Sequence, residues 1–199
     1  MTLRLMRLPL KPRNGSLIRA LAAFAGDRRG VSAVEFALIL PLMVALYLGG
    51  VEVTQAINAD RKVTLTAGAL ANLTAQASSI SSSDMTDILD ASSAVMYPYS
   101  TGNMTAVISC LSIDAAKKVT VKWSQTLNGQ ARAAGSSVAI DANLAIANTQ
   151  LLLSEVSYKY KPAIGYMITG TLNLSDKMYM APRITAPSYG DGAGAVSCS

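Results

Sequence analysis

The pattern of hydrophobic and polar residues first identifies one long apolar stretch. Residues 31–51 form a run of 21 residues in which Glu35 is the only charged residue. At about 1.5 Å per residue, a helix of this length spans roughly 30 Å, the thickness of a bilayer's hydrocarbon core. Pro41 lies inside the run, and membrane helices accommodate proline by a kink or local unwinding. The run therefore predicts a membrane-spanning helix.

Glu52 marks the polar exit of this span, and after it apolar residues recur every three or four positions. This spacing predicts that the same helix continues to about residue 80 with one face on a protein core. The polar residues 81–83 should end it and cap a short helix over residues 84–96, which stops before Pro98. The predicted core face consists of Ala56, Ala59, Val63, Thr66, Leu70, Leu73, Ala77 and Ile80.

From about residue 104 to residue 184 the pattern has period two, which is typical of half-buried β-strands. Val119, Val121 and Trp123 alternate with polar residues, and further strands are predicted over residues 105–113 and 151–160 and within 166–184. Residues 129–147 show little periodicity and are predicted to form a loop region. A long helix followed by an antiparallel meander is an α+β fold in which the helix covers one face of a small sheet.

Basic residues concentrate before the apolar run. Residues 1–30 hold seven of the 17 cationic residues and one of the 12 acidic residues, so this segment carries +6 and the remaining chain −1. Such a flank is typical of the cytoplasmic side of a membrane helix and gives no reason to expect a nucleic-acid surface. An ordinary signal peptide with Leu17–Gly26 as its apolar core is an alternative. The longer apolar run that follows argues against it.

The two cysteines, Cys110 and Cys198, are 88 positions apart. In an oxidising compartment a disulfide between them would fix the C-terminal tail to the domain. Two unpaired thiols are the alternative. With no histidine in the chain, two cysteines are too few for a structural metal site.

Residues suited to catalysis are scarce. The chain contains no histidine, which excludes Ser-His-Asp and Cys-His arrangements, and it has no phosphate-binding loop. Asp84, Asp87 and Asp90 lack the spacing of a calcium loop and suit a solvated helix start. We therefore expect no catalytic residue, no cofactor and no metal, and we interpret the protein as one that is not an enzyme.

The start of the apolar run resembles the processing site of type IV prepilin-like proteins. In that family a basic leader ends at a glycine, cleavage follows, and the hydrophobic helix carries Glu at its fifth position and an aromatic residue at its sixth. The matching residues here are Arg28, Arg29, Gly30, Val31, Glu35 and Phe36. The Glu-Phe pair and the large C-terminal domain resemble a TadE-type minor pseudopilin of the tight-adherence (Flp) pilus system. Major Flp-type pilins are much shorter, which implies a minor component.

This resemblance implies a pilin-like organisation. Residues 1–30 would be a leader that prepilin peptidase removes between Gly30 and Val31, with Arg28 and Arg29 holding it at the cytoplasmic face. Residues 31–52 would form the transmembrane and assembly helix, and residues 53–199 an extracytoplasmic α+β domain.

The resemblance also implies roles and partners. Glu35 and Phe36 would act in processing and assembly. Glu35 lies one helical turn from the amino group that cleavage creates, and it could neutralise that group or a neighbour's and so set subunit register. Expected partners are prepilin peptidase, other pilins or pseudopilins, the inner-membrane assembly platform and membrane lipid. The expected location is the bacterial inner membrane, with a single pass, a periplasmic C-terminal domain and incorporation into an extracellular pilus.

Two alternatives stay open. A membrane-anchored extracytoplasmic binding module would keep its leader and tolerate replacement of Glu35 by alanine. A pseudopilin of another secretion system would share the processing chemistry and differ only in its partners.

Overall fold

The chain divides into two units, and the boundary between them along the sequence lies after Tyr47. The computed structural model describes residues 29–162, 164–165 and 169–198. Helix α1 (Arg29–Gln76) runs through the boundary, so that its residues up to Tyr47 belong to the first unit and the later ones to the second. All the other described elements lie in the second unit.

The second unit combines two helices with a small antiparallel sheet. Strands β2 to β5 are antiparallel and lie in the order β3-β2-β4-β5, while β1 pairs with β6 in parallel. The prediction of an α+β fold with a long N-terminal helix and a small antiparallel sheet is therefore confirmed. The elements after α1 are β1 (Ser79–Ile80), α2 (Ser82–Met96), a 3-10 turn (Thr101–Asn103), β2 (Met104–Ile113), β3 (Val119–Leu127), β4 (Thr149–Tyr160), β5 (Leu172–Met180), β6 (Ser188–Tyr189) and a second 3-10 turn (Gly192–Gly194).

The later half of α1 belongs to the main hydrophobic core, together with residues from one face of the sheet. Thr66 and Thr74 are buried on this side, and each donates its hydroxyl hydrogen to the carbonyl oxygen four residues earlier, at 2.7 and 2.8 Å. These bonds satisfy the hydroxyls, which would be costly to bury without a partner. The buried core hydrophobics of this half are mostly small: Ala59, Val63, Ala67, Leu70, Ala71 and Ala75.

One residue of the predicted core face lies elsewhere. Leu73 was expected in the core, but its side chain is 38% exposed. A helix turns by about 100° per residue, so Thr74 and Ala75 lie on the opposite side of Leu70 from Leu73. The last turns bury that side instead, where the N–H of Arg183 donates to the carbonyl of Ala75 at 3.0 Å. The helix ends at Gln76, and Ser79 and Ile80 already form a strand.

Strand β3 carries a β-bulge that the period-two pattern did not predict. Cys110 pairs with Trp123 whereas Leu111 pairs with Val121, so one extra residue lies between them in β3. The extra residue reverses the alternation of faces. Trp123 therefore packs in the helix-side core, while Val119 and Val121 belong to a second cluster. The expectation that these three side chains share one face was wrong for this reason.

The second cluster lies on the sheet face that does not meet α1, and residues of the long β3–β4 connection pack against it. An ion-pair network also fastens this connection. The guanidinium of Arg132 donates two hydrogen bonds to the carboxylate of Glu155, at 2.8 and 2.9 Å, and Lys177 lies 3.3 Å from the same carboxylate. The predicted loop region thus covers part of the outer sheet face.

Helix α2 begins with a capping box. The N–H of Asp84 donates to the hydroxyl of Ser81 at 3.1 Å, and the N–H of Ser81 donates to the carboxylate of Asp84 at 3.0 Å. The Ser81 hydroxyl also donates to the Asp84 carboxylate at 2.7 Å. This bond, followed by the one from the Ser81 N–H, lowers the pKa of Asp84 below its ordinary value. A serine at this position is what the sequence predicted as the cap.

Candidate functional site

The residues of the predicted processing segment lie in the first two turns of α1. Gly30, Val31, Glu35 and Phe36 are all helical and exposed. Arg29 is the first helical residue. Arg28 and the rest of the leader, residues 1–28, lie outside the described residues.

Glu35 has no partner among the residues that the structure describes. It lies four residues after Val31, so the two residues share one face of the helix one turn apart. No described residue forms a hydrogen bond or an ion pair with its carboxylate. The carboxylate is therefore available on the outside of an apolar helix.

The glycine before the predicted cut is not demanded by the fold. A Cβ atom at Gly30 would meet no atom within 4 Å, and its backbone is helical rather than left-handed. Any ordinary residue could occupy this position in the described structure. A requirement for glycine here would have to come from a partner that approaches the backbone closely.

The side chains around Glu35 form an apolar surface. All residues from Val31 to Val44 are exposed, including Phe36 at 58%. The helix has a mean hydropathy of 2.2 in its most apolar window, and it is the one described helix long and apolar enough to cross a membrane. The arrangement offers a surface for lipid or for other apolar helices, with one carboxylate in it.

A second feature, which the sequence did not reveal, lies where the apolar run ends. Glu52 was interpreted as the polar exit of the span, but it is only 1% exposed. Near it, the hydroxyl of Tyr99 donates to the carbonyl of Gln55 at 3.1 Å. The ring of Tyr99 contacts Tyr158 and Tyr160 edge-on, with centroids 6.1 and 6.2 Å apart. We call Glu52, Tyr99, Tyr158 and Tyr160 the tyrosine cluster.

Two members of the tyrosine cluster, Tyr158 and Tyr160, have raised pKa values. Burial is the main cause that raises the pKa of Tyr160, and the neighbouring Tyr99, Glu52 and Tyr158 raise it further. Burial, with a smaller contribution from Tyr99, likewise raises the pKa of Tyr158. The members come from distant parts of the sequence, and no spacing rule brings Glu52 together with them. Only the tertiary structure does so.

Cys110 and Cys198 form a disulfide, with their Cα atoms 5.9 Å apart. Both residues are fully buried. The bridge joins β2 to the end of the chain, which was one of the two outcomes considered for these cysteines.

Side chains suited to metal binding are not grouped in the part of the chain that the structure describes. No set of three or more His, Cys, Asp or Glu residues there could hold a metal ion. Asp84, Asp87 and Asp90 follow one another along the exposed side of α2. The chemistry that the described residues offer is thus packing, charge pairing and backbone recognition at the start of α1.

Residues 30–71 match the family model described as TadE-like protein. The match includes Gly30, Glu35, Phe36 and the whole apolar run, and it ends inside the packed half of α1. No curated protein and no solved structure matches the chain. The resemblance to TadE-like proteins is thereby confirmed for this segment.

Proposed function

We propose that this chain, which is TadE-like over residues 30–71, is a minor pseudopilin that takes part in the biogenesis of the Tad (Flp) pilus. The family match supports a role in the Tad pilus system. The finer proposal is that prepilin peptidase cuts between Gly30 and Val31 and that the exposed α1 segment then enters an assembly. The observation that carries it is Glu35, an exposed carboxylate in an apolar helix, one turn from the residue that becomes the new N-terminus.

The energetics of Glu35 favour a charge partner. A carboxylate at the centre of a bilayer costs on the order of 2.5–3.5 kcal/mol on insertion scales. Cleavage would create an α-amino group, with an ordinary pKa of about 7.7–8.0, on the same helix face. The amino group of the same chain or of a neighbour would neutralise Glu35. Pairing with a neighbour would fix how far two helices are offset along a filament.

The apolar surface of residues 31–47 supports packing against other pilin helices, the inner-membrane platform and lipid. In this proposal the chain crosses the inner membrane once, and the second unit lies in the periplasm or on the pilus. Gly30 would serve the peptidase, since the described fold gives it no packing role. The protein would act in assembly, priming or adherence rather than as an enzyme.

The test separates cleavage from assembly. In cells with the full system, Glu35→Ala should be cleaved as the wild type is, but its incorporation into pilus fractions should fall strongly. Glu35→Gln should behave like Glu35→Ala, because it keeps the size of the side chain and loses the charge. Asp87→Ala, which removes one exposed carboxylate from α2, is the matched control and should assemble normally. Normal incorporation of Glu35→Ala would contradict the proposal.

A further inference from the structure

The last residues of the chain form a strap that crosses several elements of the second unit. We define the C-terminal strap as residues 181–198. At its beginning the N–H of Arg183 donates to the carbonyl of Ala75 at 3.0 Å, and the guanidinium of Arg183 donates to the side-chain oxygen of Asn72 at 2.6 Å. The strap therefore starts on the last turns of α1.

The strap next fastens the connection between the two helices. Its strand β6 pairs in parallel with β1, and the N–H of Gly190 donates to the carbonyl of Ile80 at 3.0 Å. The carboxylate of Asp191 accepts hydrogen bonds from the N–H and the hydroxyl of Ser82, at 3.3 and 2.9 Å. The segment from α1 to α2 is thus held from one side by the strap.

The strap also covers the sheet at Trp123, the single tryptophan of the chain. Nε1 of Trp123 donates to the carbonyl of Pro187 at 2.9 Å, and its ring lies 5.7 Å from that of Tyr189. The strap then ends at Cys198, which is bonded to Cys110 of β2. Its covalent attachment is at the very end, one residue before the C-terminus.

Apart from the bridge and the buried Trp123–Pro187 bond, the strap is held by short and mostly exposed attachments. β6 pairs over two residues only, and the hydrogen bonds of Arg183 and Asp191 to side chains lie at the surface. Each such bond contributes only about 0.5–1.5 kcal/mol net. Gly190, Gly192 and Gly194 give residues 190–194 high conformational freedom when the strap is undocked. The bridge favours docking, because it confines the far end of the strap to its site.

We propose that the C-terminal strap is a redox-dependent latch, which docks when Cys110 and Cys198 are joined and leaves α1, β1 and Trp123 when they are thiols. The inference does not rest on the proposed function.

The latch closes by thiol–disulfide exchange with a disulfide-bearing oxidant. One cysteine thiolate attacks the external disulfide, forms a mixed disulfide and releases one thiolate of the oxidant. The second cysteine then attacks the mixed disulfide, which forms the Cys110–Cys198 bond and releases the second thiolate. The protein loses two electrons and two protons, and the oxidant gains them as two thiols.

Burial makes the closed latch persistent. Both sulfur-bearing residues are fully buried in the docked state, so a reductant reaches them only when the strap lifts. The open state is a local one, because the strap can leave while β2 to β5 keep their pairing with one another. Closure in an oxidising compartment would thus complete the second unit after the rest of it has folded.

Trp123 provides a direct readout. Full-length protein in detergent micelles would be compared before and after a thiol reductant, by tryptophan emission and by quenching with acrylamide. Reduction should shift the emission to longer wavelength and raise the quenching constant several-fold. Trypsin, followed by mass spectrometry, should cut after Arg183 several-fold faster, because that bond is no longer held against Ala75. Far-UV circular dichroism should stay nearly unchanged.

Cys198→Ser is the matched control. Without reductant it should already show the emission, quenching and cleavage of the reduced wild type, and reductant should change it no further. A docked Trp123 signal and slow cleavage in both Cys198→Ser and the reduced wild type would overturn the proposal. Loss of the far-UV signal on reduction would also overturn it, because the bridge would then hold the whole sheet rather than the strap alone.

Discussion

The two halves of α1 present the same kinds of apolar residue to different surroundings. In the first unit, Leu42 is 62% exposed, and none of the most apolar window is buried. In the second unit, Leu70 is fully buried in the helix-side core. One continuous helix therefore has an apolar surface that is exposed among the described residues and another that is buried in the core of the second unit.

The difference between the halves lies in residue size and position rather than in hydropathy alone. The first half places Leu, Ile, Val, Met and Phe all around the helix. The second half buries one side, where four alanines are fully buried in the core, while Ile57 and Leu65 stay exposed on the other. A helix that is apolar all round suits a membrane or other helices, whereas a one-sided helix suits a protein core. The contrast supports different partners for the two halves.

The largest expected effect on stability comes from truncating one leucine in each half of α1 and comparing the two variants. Leu70→Ala should lower the free energy of unfolding of the second unit by about 2–5 kcal/mol, because it leaves a cavity in the core. Leu42→Ala should leave that free energy nearly unchanged, since its side chain is exposed and belongs to the first unit. Thermal unfolding of the full-length protein in detergent would measure both. Equal losses for the two variants would contradict the contrast.

The next test measures membrane insertion after replacing either of two leucines of similar exposure, one in each half of α1. Leu42 is 62% exposed and Leu65 is 60% exposed. Leu42→Arg should reduce the membrane-integrated fraction, because replacing leucine by arginine within a span costs about 3 kcal/mol on insertion scales. Leu65→Arg should insert like the wild type, since its side chain faces water in this account. Carbonate extraction of membranes would compare them, and equal extraction of the two variants would count against the assigned span.

A smaller effect is expected at the cap of α2, in the unit that holds the packed half. Ser81→Ala should cost about 1 kcal/mol near neutral pH, because the hydrogen bonds of the Ser81 hydroxyl are lost. The pKa of Asp84 is lowered by Ser81, so this contribution is present above the ordinary pKa of 3.8 and is lost as the pH falls through the lowered value. The difference in Tm between variant and wild type should therefore shrink at low pH. A difference independent of pH would argue against the capping box as its source.

The smallest effect is expected in the tyrosine cluster, where the packed half begins. The hydroxyl of Tyr160 is buried without a hydrogen-bond partner among the described residues. Tyr160→Phe should therefore change stability at neutral pH by less than about 1 kcal/mol. The pKa of Tyr160 is raised from 10.0, so its contribution is full below that pH and is lost as the pH rises through the raised value.

The stability of Tyr160→Phe at alkaline pH is a sharper test of this cluster than its stability at neutral pH. Tyr160→Phe should lose less stability than the wild type above about pH 10, and Tyr158 should keep part of the loss because its pKa is also raised. Denaturant titrations at several pH values would measure this. A variant as sensitive to alkali as the wild type would show that Tyr160 does not drive the transition.

The sequence predicted those features that depend on local pattern. The apolar run, the core face of α1, the Ser81 cap and the alternation in β4 each follow from spacing within about ten residues. The TadE-like segment was also recognisable, because its glycine, glutamate and phenylalanine lie within one short stretch. These features need no knowledge of how distant segments meet.

Features that depend on distant contacts were missed. The bulge opposite Cys110 changes the face of Trp123, and nothing in the alternation of β3 marks it. Leu73 and Thr74 are both compatible with a helical stripe. The buried side is that of Thr74 and Ala75, where the strap contacts the helix through Arg183. Glu52 resembled a solvated end of the span because its tyrosine neighbours lie far along the chain.

The most direct test of the account is the N-terminal sequence of the membrane-associated protein, determined with and without an active prepilin peptidase. We expect the chain to begin at Val31 when the peptidase is active and to keep its leader when the peptidase is inactive. A start at Met1 in both cases would leave a simple anchored domain, and a start near Gly26 would indicate ordinary signal peptidase. Either result would contradict processing at Gly30 and, with it, the assembly role assigned to Glu35.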